Sequence, residues 1–109
     1  MKTYIKPNFV KVITFNFAAA ITLWPFGIFF KNEHGKRSFM NHEAIHWKQQ
    51  KEMLGIFFYL WYLVEWLIRL PFGNAYYNIS FEREAYRNEH NKNYLNERKP
   101  FAWIKYLWV

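Results

Sequence analysis

Residues 41–50 read NHEAIHWKQQ, and this stretch decides which fold and chemistry we expect. Helical residues are about 100° apart around the axis, so His42 and His46 lie within about 40° of each other on one face. Two imidazoles placed in this way can bind one metal ion. Glu43 lies about 100° from His42, where its carboxylate can contact a water molecule on the metal. The stretch therefore predicts a zinc-binding helix with the HExxH spacing of metallopeptidases.

A catalytic zinc ion needs a third protein ligand, and the composition restricts its identity. The chain has no Cys and no Asp, which excludes thiolate sites and disulfides and leaves Glu, His or Tyr. In FEREAY, residues 81–86, Glu82 and Glu84 are about 200° apart on a helix. We choose Glu82 because the small Ala85 lies on its side and lets two helices approach. Glu84 is the alternative.

These residues imply a hydrolytic reaction. Zinc lowers the pKa of a bound water toward about 7, so we expect Glu43 to act as general base and then to protonate the leaving amine. We therefore predict a zinc metallopeptidase, with Zn2+ as cofactor and a peptide or protein as substrate. Four side chains are candidate auxiliary donors to the reacting carbonyl oxygen: Tyr77, Tyr86, His34 and His90. Of these, we expect the two histidines to be exposed to solvent.

The residues before the motif predict a small β-sheet. Two short runs of β-branched and aromatic residues flank the turn Pro25-Phe26-Gly27, so we predict a β-hairpin over residues 21–31. Partial alternation of side chains predicts a third strand over residues 9–17. The polar residues 31–38 are expected to form a loop.

After this predicted loop the residue pattern becomes typical of a helix. Residues 41–70 contain no Pro and a single Gly, Gly55. This pattern predicts one long helix, or two helices broken near Gly55, with Ser38 or Asn41 as N-cap. Residues 71–74, PFGN, are expected to end the helical segment.

A second helix is predicted from Asn78 or Ser80 to His90, with Ser80 as its N-cap. The aromatic tail, residues 101–108, is expected to form a short helix. We therefore expect one α+β domain over residues 1–109, with the hairpin packed beside the two helices.

The aromatic run after the motif has three interpretations. Residues 53–64, MLGIFFYLWYLV, carry no charge and are apolar around the whole helix. Twelve residues are too short to span a bilayer, which needs about 20. The run can form the core, a homodimer or partner surface, or a peripheral contact with a membrane through its aromatic residues. Glu65 and Arg69, four residues apart, are expected to pair.

The net charge of +7 favours acidic partners or anionic lipid. The basic residues are scattered and no nucleic-acid motif is present, so we expect no nucleic acid as partner. The uncharged run at residues 12–30 is interrupted by Asn16, Pro25 and Gly27, which argues against a secretory signal or a spanning helix. We expect a cytoplasmic protein, located at the membrane surface if the aromatic run contacts lipid.

The chain resembles a minimal gluzincin, the class of zinc metallopeptidases that carry HExxH on one helix and a Glu ligand on a later one. The similar segments are ITLWPFGIFFK, NHEAIHWKQQ and FEREAY, which cover roughly residues 20–90. The resemblance implies a zincin-like core in which an edge strand runs along a substrate groove. It also implies a set of site residues: His42, His46 and Glu82 as zinc ligands and Glu43 as general base. Gln49 and Gln50 also match small members of the class.

One position departs from the gluzincin pattern. Many members have Asp four residues after the Glu ligand, where it orients a zinc-bound His, and Tyr86 occupies that position here. Loss of such a partner costs about 10–100-fold in metal affinity or activity. Asn41, a backbone carbonyl or Tyr86 itself are the candidates to replace it.

Two other functions compete with peptidase activity. A chain this short lacks a second lobe to wall an active-site cleft, so a zinc-containing interaction domain with little or no catalysis is the main alternative. Binding of nucleic acid through Lys, Arg and aromatic residues agrees only with the composition.

Overall fold

A computed structural model describes residues 2–14 and 18–107 of the chain and has an α+β architecture. Its strands are β1 (Thr3–Ile5), β2 (Ala20–Leu23) and β3 (Gly27–Phe30). Its α-helices are α1 (Pro7–Ile13), α2 (Glu33–Glu52), α3 (Ile56–Arg69), α4 (Ala75–Asn78), α5 (Ser80–Asn88) and α6 (Tyr94–Glu97). Two 3-10 helices span Leu70–Phe72 and Ala102–Leu107. The predicted fold class is confirmed at this level.

The three strands form one mixed sheet in the order β1-β3-β2. Strands β2 and β3 pair antiparallel, with Ala20 opposite Phe30, so the predicted hairpin over residues 21–31 is confirmed. Strand β1 pairs in parallel with β3, with Thr3 opposite Ile28. Helix α2 packs on this sheet, against both the edge strand β2 and the central strand β3.

The predicted strand over residues 9–17 is wrong where the structure describes it. Residues 9–13 belong to α1, which begins at Pro7. Pro favours the first turn of a helix because its missing N–H has no intrahelical partner there in any case. Val10 is the buried residue of this helix, and Phe9 packs on Phe29 of the sheet. Residues 15–17 lie outside the described residues.

The polar segment 31–38 is also not a loop, because α2 already begins at Glu33. The Asn32 side chain caps this helix by accepting a hydrogen bond from the Gly35 N–H at 2.7 Å. Neither Ser38 nor Asn41 is therefore the N-cap. The N-cap residue Asn32 thus allows a helix to begin within this polar segment.

The helical segment is broken at Gly55, as the second alternative predicted. Helices α2 and α3 meet at a bend of 109°. Gly55 has φ +68° and ψ −70°, and the Ile56 N–H donates to the Leu54 carbonyl at 2.7 Å. This is a tight γ-turn, a backbone conformation that a residue with a side chain adopts only at a cost.

After α3 the helix boundaries agree with the prediction, but the N-cap residue of α5 differs from it. The helix ends at Arg69, just before the predicted stop at residues 71–74. Ile79, and not Ser80, is the N-cap residue of α5. The Ser80 hydroxyl donates instead to the buried carboxylate of Glu65, which also pairs with Arg69 at 3.4 Å.

Most residues of the aromatic run lie outside the core. The interpretation of this run as core is therefore wrong for α3 as a whole. Phe58 and Glu65 are the buried residues of this helix. Phe58 packs on Phe81 of α5 and on Ile79. Within the described chain no single helix is long and apolar enough to cross a membrane, and α2 and α3 pass that test only as a bent pair.

Candidate metal centre

Two helices bring the predicted ligands together. His42 and His46 lie one turn apart on the face of α2 that packs against α5, and Glu82 lies in the first turn of α5. The Nε2 atom of His46 is 3.0 Å from Glu82 Oε1, and Nε2 of His42 is 3.3 Å from the same oxygen. All three side chains are buried.

This cluster can hold a metal ion. One ligand atom from each residue lies within 4.8 Å of the other two. Ligands of a tetrahedral zinc ion at bond lengths of about 2.0–2.1 Å are roughly 3.3 Å apart, which matches the two His–Glu separations. Two imidazoles and a carboxylate are also the donor set of many catalytic zinc sites. His42, His46 and Glu82 therefore fit zinc.

Both histidine rings are oriented by an acceptor on Nδ1, which leaves Nε2 as the atom that can bind a metal ion. The Nδ1–H of His42 donates to Glu89 Oε2 at 3.1 Å, because a carboxylate can only accept. The Nδ1–H of His46 donates to Gln49 Oε1 at 2.7 Å. Each Nε2 therefore faces Glu82, where an ion would be bound, and in the metal-free protein the Nε2–H of His46 donates to Glu82 Oε1 at 3.0 Å.

The orientation of Gln49 is set by Glu84, which explains why Glu84 is not in the cluster. The Gln49 amide nitrogen donates to Glu84 Oε1 at 2.9 Å and to the Phe81 carbonyl at 3.0 Å. Its oxygen must then face His46. Glu84 is fully buried and is neutralised by Arg98, whose Nε lies 2.5 Å from Glu84 Oε2. Glu84 therefore orients a side chain next to the candidate ligands and is not one of them.

Glu43 lies beside the cluster and is held by the sheet. One of its oxygens, Oε2, is 4.0 Å from His42 Nε2. The other, Oε1, accepts a hydrogen bond from the Thr22 hydroxyl of β2 at 2.8 Å. The Thr22 hydroxyl is also 3.0 Å from the Glu43 carbonyl oxygen. A carboxylate fixed in this way stays close to the candidate metal position without joining the three ligands.

Tyrosine hydroxyls surround the candidate ligands. The Tyr62 hydroxyl donates to Glu82 Oε2 at 2.9 Å, so it fixes the second oxygen of that carboxylate. The Tyr86 ring packs edge-on against His42, with 4.4 Å between ring centres, and its hydroxyl donates to that of Tyr76 at 3.3 Å. Tyr86 therefore contacts His42 through its ring, and Glu89 is the residue that hydrogen-bonds it.

The remaining predicted residues lie outside the cluster. His34 is exposed in the first turn of α2, and the His90 side chain is 91 % exposed, as expected for both. Tyr77 packs on Tyr86 and is more than half exposed. Asn41 donates to backbone carbonyls at the end of α5, including that of Glu89 at 2.8 Å, so it does not orient a histidine.

Electrostatics tie His46 to Glu82. Burial alone would lower the pKa of His46, but the carboxylates of Glu82 and Glu43 and the hydrogen bonds to the ring raise it to about 9. Burial alone would raise the pKa of Glu82, but the two imidazoles hold it well below its usual range. The buried carboxylate is thus charged, and in the metal-free protein the protonated His46 is the cation paired with it.

A cavity of about 570 Å³ opens over the cluster. Its floor contains Glu43, His46 and Glu82, and its walls are mainly apolar and aromatic. The wall residues include Ile13, Ile21, Phe58, Tyr59, Tyr62 and Trp66. A second cavity of about 350 Å³, lined by His42, Glu43, Tyr76, Tyr77 and Tyr86, adjoins the same site. The buried cluster is therefore accessible from these two cavities.

Gln50 covers part of the free edge of the sheet. Its amide nitrogen donates to the Thr22 carbonyl at 2.8 Å, and its oxygen accepts from the Trp24 N–H at 2.7 Å. The Tyr59 hydroxyl also donates to the Thr22 carbonyl, at 3.1 Å. Among the described residues, the backbone of Ala20 and the Thr22 N–H are the outward groups of β2 without such a partner. A peptide strand can therefore add along only part of this edge.

Comparison with protein-family models, with curated proteins and with solved structures finds no match to this chain. The candidate function therefore depends on the residues and their geometry.

Proposed function

We propose that the protein is a zinc-dependent peptidase with a minimal zincin-like arrangement of hairpin, His-bearing helix and Glu-bearing helix. The observation that carries the proposal is the convergence of His42 Nε2, His46 Nε2 and Glu82 Oε1 in one buried group, with Glu43 beside it. Each histidine also has an acceptor on Nδ1. Ordinary helix packing does not require two buried histidines to share one carboxylate oxygen.

The chain's own residues support the steps of hydrolysis. A bound zinc ion would supply Lewis-acid polarisation of a carbonyl and a water that is acidic at neutral pH. Glu43, whose other oxygen is held by Thr22, would accept a proton and later return it to the leaving amine. The apolar walls of the cavity would exclude bulk water from the reacting groups.

A tyrosine hydroxyl is the best candidate for an additional donor. Burial raises the pKa of Tyr86 to about 12, so its hydroxyl stays protonated at neutral pH. Tyr76 contacts it and lines both cavities. We propose Tyr76, to which the Tyr86 hydroxyl donates, as the donor to the substrate carbonyl oxygen.

The experiment combines metal content with turnover, on protein purified without a nickel column. We expect about one zinc per chain in the wild type and in Glu43→Gln, and loss of zinc in His46→Ala and Glu82→Ala. Glu97→Ala, an exposed residue of α6, is the matched control and should retain zinc. A library of peptides analysed by mass spectrometry should be cleaved by the wild type and not by Glu43→Gln. No zinc in the wild type, or equal cleavage by Glu43→Gln, would overturn the proposal.

One observation favours a second function, a zinc-containing interaction domain. Gln50 already occupies the β2 edge at Thr22 and Trp24, which shortens the surface for an extended substrate. Zinc binding without cleavage of any peptide, together with a function that survives Glu43→Gln, would identify this alternative.

A further inference from the structure

Helix α3 exposes an apolar surface along its whole length. Its exposed residues are all aliphatic or aromatic and are 38–66 % accessible: Ile56, Phe57, Tyr59, Leu60, Leu63, Val64, Trp66, Leu67 and Ile68. At about 100° per residue they cover about 200° of the helix circumference. Phe58 and Glu65, the buried residues, lie in the remaining arc. The exposed arc contains no charged side chain.

The width of this arc argues against a second copy of the chain as its partner. A helix that packs on another protein surface typically buries a stripe about 100° wide. An arc twice that width is convex, so one partner helix would leave much of it in water. Lipid chains adapt to a convex apolar surface and can cover the full arc.

The surface charge of the protein is complementary to anionic lipid. Ten basic residues are exposed: Lys2, Lys6, Lys11, Arg37, Lys48, Lys51, Arg87, Lys92, Lys99 and Lys105. Only two of the eight glutamates, Glu33 and Glu97, are exposed. The exposed side chains thus carry a charge of +8, against +7 for the whole chain. Each basic residue near an anionic membrane contributes attraction within about a Debye length.

We propose that α3 lies in the plane of an anionic lipid bilayer surface, with its apolar arc inserted at the level of the headgroups. The 14 residues of α3 extend about 21 Å at 1.5 Å per residue, shorter than a bilayer core of about 30 Å. The helix therefore lies on the membrane and does not span it. Tyr59 and Trp66, at one border of the arc, are residue types enriched at membrane interfaces.

The same border connects the lipid-facing surface to the candidate active site. Tyr59 and Trp66 also line the larger cavity, and the exposed Ile13 of α1 lines it too. The cavity therefore opens beside the membrane when α3 is inserted. If the proposed peptidase function holds, on which this step rests, the substrates are apolar peptide segments presented at a lipid surface.

Sedimentation with lipid vesicles tests the membrane surface without any enzymatic readout. Vesicles of equal parts phosphatidylcholine and phosphatidylglycerol are compared with phosphatidylcholine alone. We expect the wild type to bind the anionic vesicles. Leu60→Gln and Leu67→Gln, near the centre of the arc, should each weaken binding roughly tenfold or more. Ile5→Gln, an exposed residue of β1 at the opposite edge of the sheet, is the matched control and should bind like the wild type.

Three results would overturn this proposal. The first is absence of wild-type binding to anionic vesicles, and the second is equal binding by the wild type and both α3 variants. The third is a stable dimer in solution, measured by light scattering, that Leu60→Gln and Leu67→Gln convert to monomer without changing vesicle binding. Vesicle binding by a chain that cleaves no peptide would reject only the peptidase function.

Discussion

Glu89 is the residue that decides the orientation of His42. It is the C-cap residue of α5, seven residues after Glu82 and thus about two helical turns away, and it accepts from His42 Nδ1 at 3.1 Å. The position four residues after Glu82 holds Tyr86, whose ring contacts His42 without a hydrogen bond to it. The Glu89 carboxylate, about one turn farther along the chain than Tyr86, therefore orients the His42 ring. The sequence analysis had named only Asn41, Tyr86 or a backbone carbonyl for this role.

Replacement of Glu89 tests this role. We expect Glu89→Gln to weaken zinc binding by about 10–100-fold, because the neutral amide no longer favours the His42 tautomer as strongly. Competition with a chromophoric chelator measures the affinity. Glu97→Gln on α6 removes the same charge from an exposed position and should leave the affinity unchanged. Equal affinities for all three proteins would show that Glu89 does not support the site.

Protonation of His46 predicts a pH dependence of metal binding. With a pKa of about 9 in the metal-free protein, His46 carries a proton at pH 7, and a ligand to zinc must be neutral. Zinc binding at pH 7 should therefore release about one proton, and the affinity should rise as the pH increases toward 9. Titration calorimetry in two buffers with different ionisation enthalpies gives the number of protons released. Binding without proton release would contradict this assignment.

At the scale of elements, α2 is the centre of the structure. It packs against β2 on one side and α5 on another, so it carries the two histidines to Glu82 while Glu43 meets Thr22. The break after it turns α3 by 109°. This turn places Tyr62 over Glu82 and Phe58 against α5, which a single straight helix could not do.

Gly55 should be sensitive to substitution because of this break. Because Gly55 has φ +68° and ψ −70°, Gly55→Ala is expected to lower the free energy of unfolding by about 1–3 kcal/mol. Urea denaturation followed by circular dichroism measures the change. Gly73→Ala, at φ +102° with no atom within 4 Å of the added methyl group, should also lower the stability and shows the cost of backbone strain without a side-chain contact. A Gly55→Ala protein as stable as the wild type would show that the bend does not depend on this conformation.

At the scale of the whole molecule, the candidate metal centre joins α2 and α5. An ion bound only by the folded chain stabilises it by mass action, about 2.7 kcal/mol at a free concentration a hundred times the dissociation constant. For a chain of 109 residues we therefore expect the melting temperature to fall by about 10 °C or more when a chelator removes zinc.

Differential scanning calorimetry measures this shift with and without added zinc. The Glu82→Ala protein provides the control, because it should melt at one temperature under both conditions. A wild-type melting temperature that does not respond to zinc or to the chelator would argue against a metal site between α2 and α5.

Local patterns predicted part of this structure before any tertiary information. The β-hairpin, the break at Gly55 and the common face of His42 and His46 depend on turn residues and helical spacing, which are properties of neighbouring residues. The predicted strand at residues 9–17 is wrong because two local signals competed there. Its alternation was weak, and the preference of Pro7 for a first helical turn prevailed.

The sequence by itself determined which residue types were available for a metal: two histidines one helical turn apart, glutamates as the only acids and no cysteine. Tertiary structure decided between Glu82 and Glu84, because only the packing of α5 on α2 shows which carboxylate faces the histidines. It also decided that Glu89 and Gln49 orient the rings and that α3 faces outward. Such contacts join residues many positions apart, so local spacing carries no information about them.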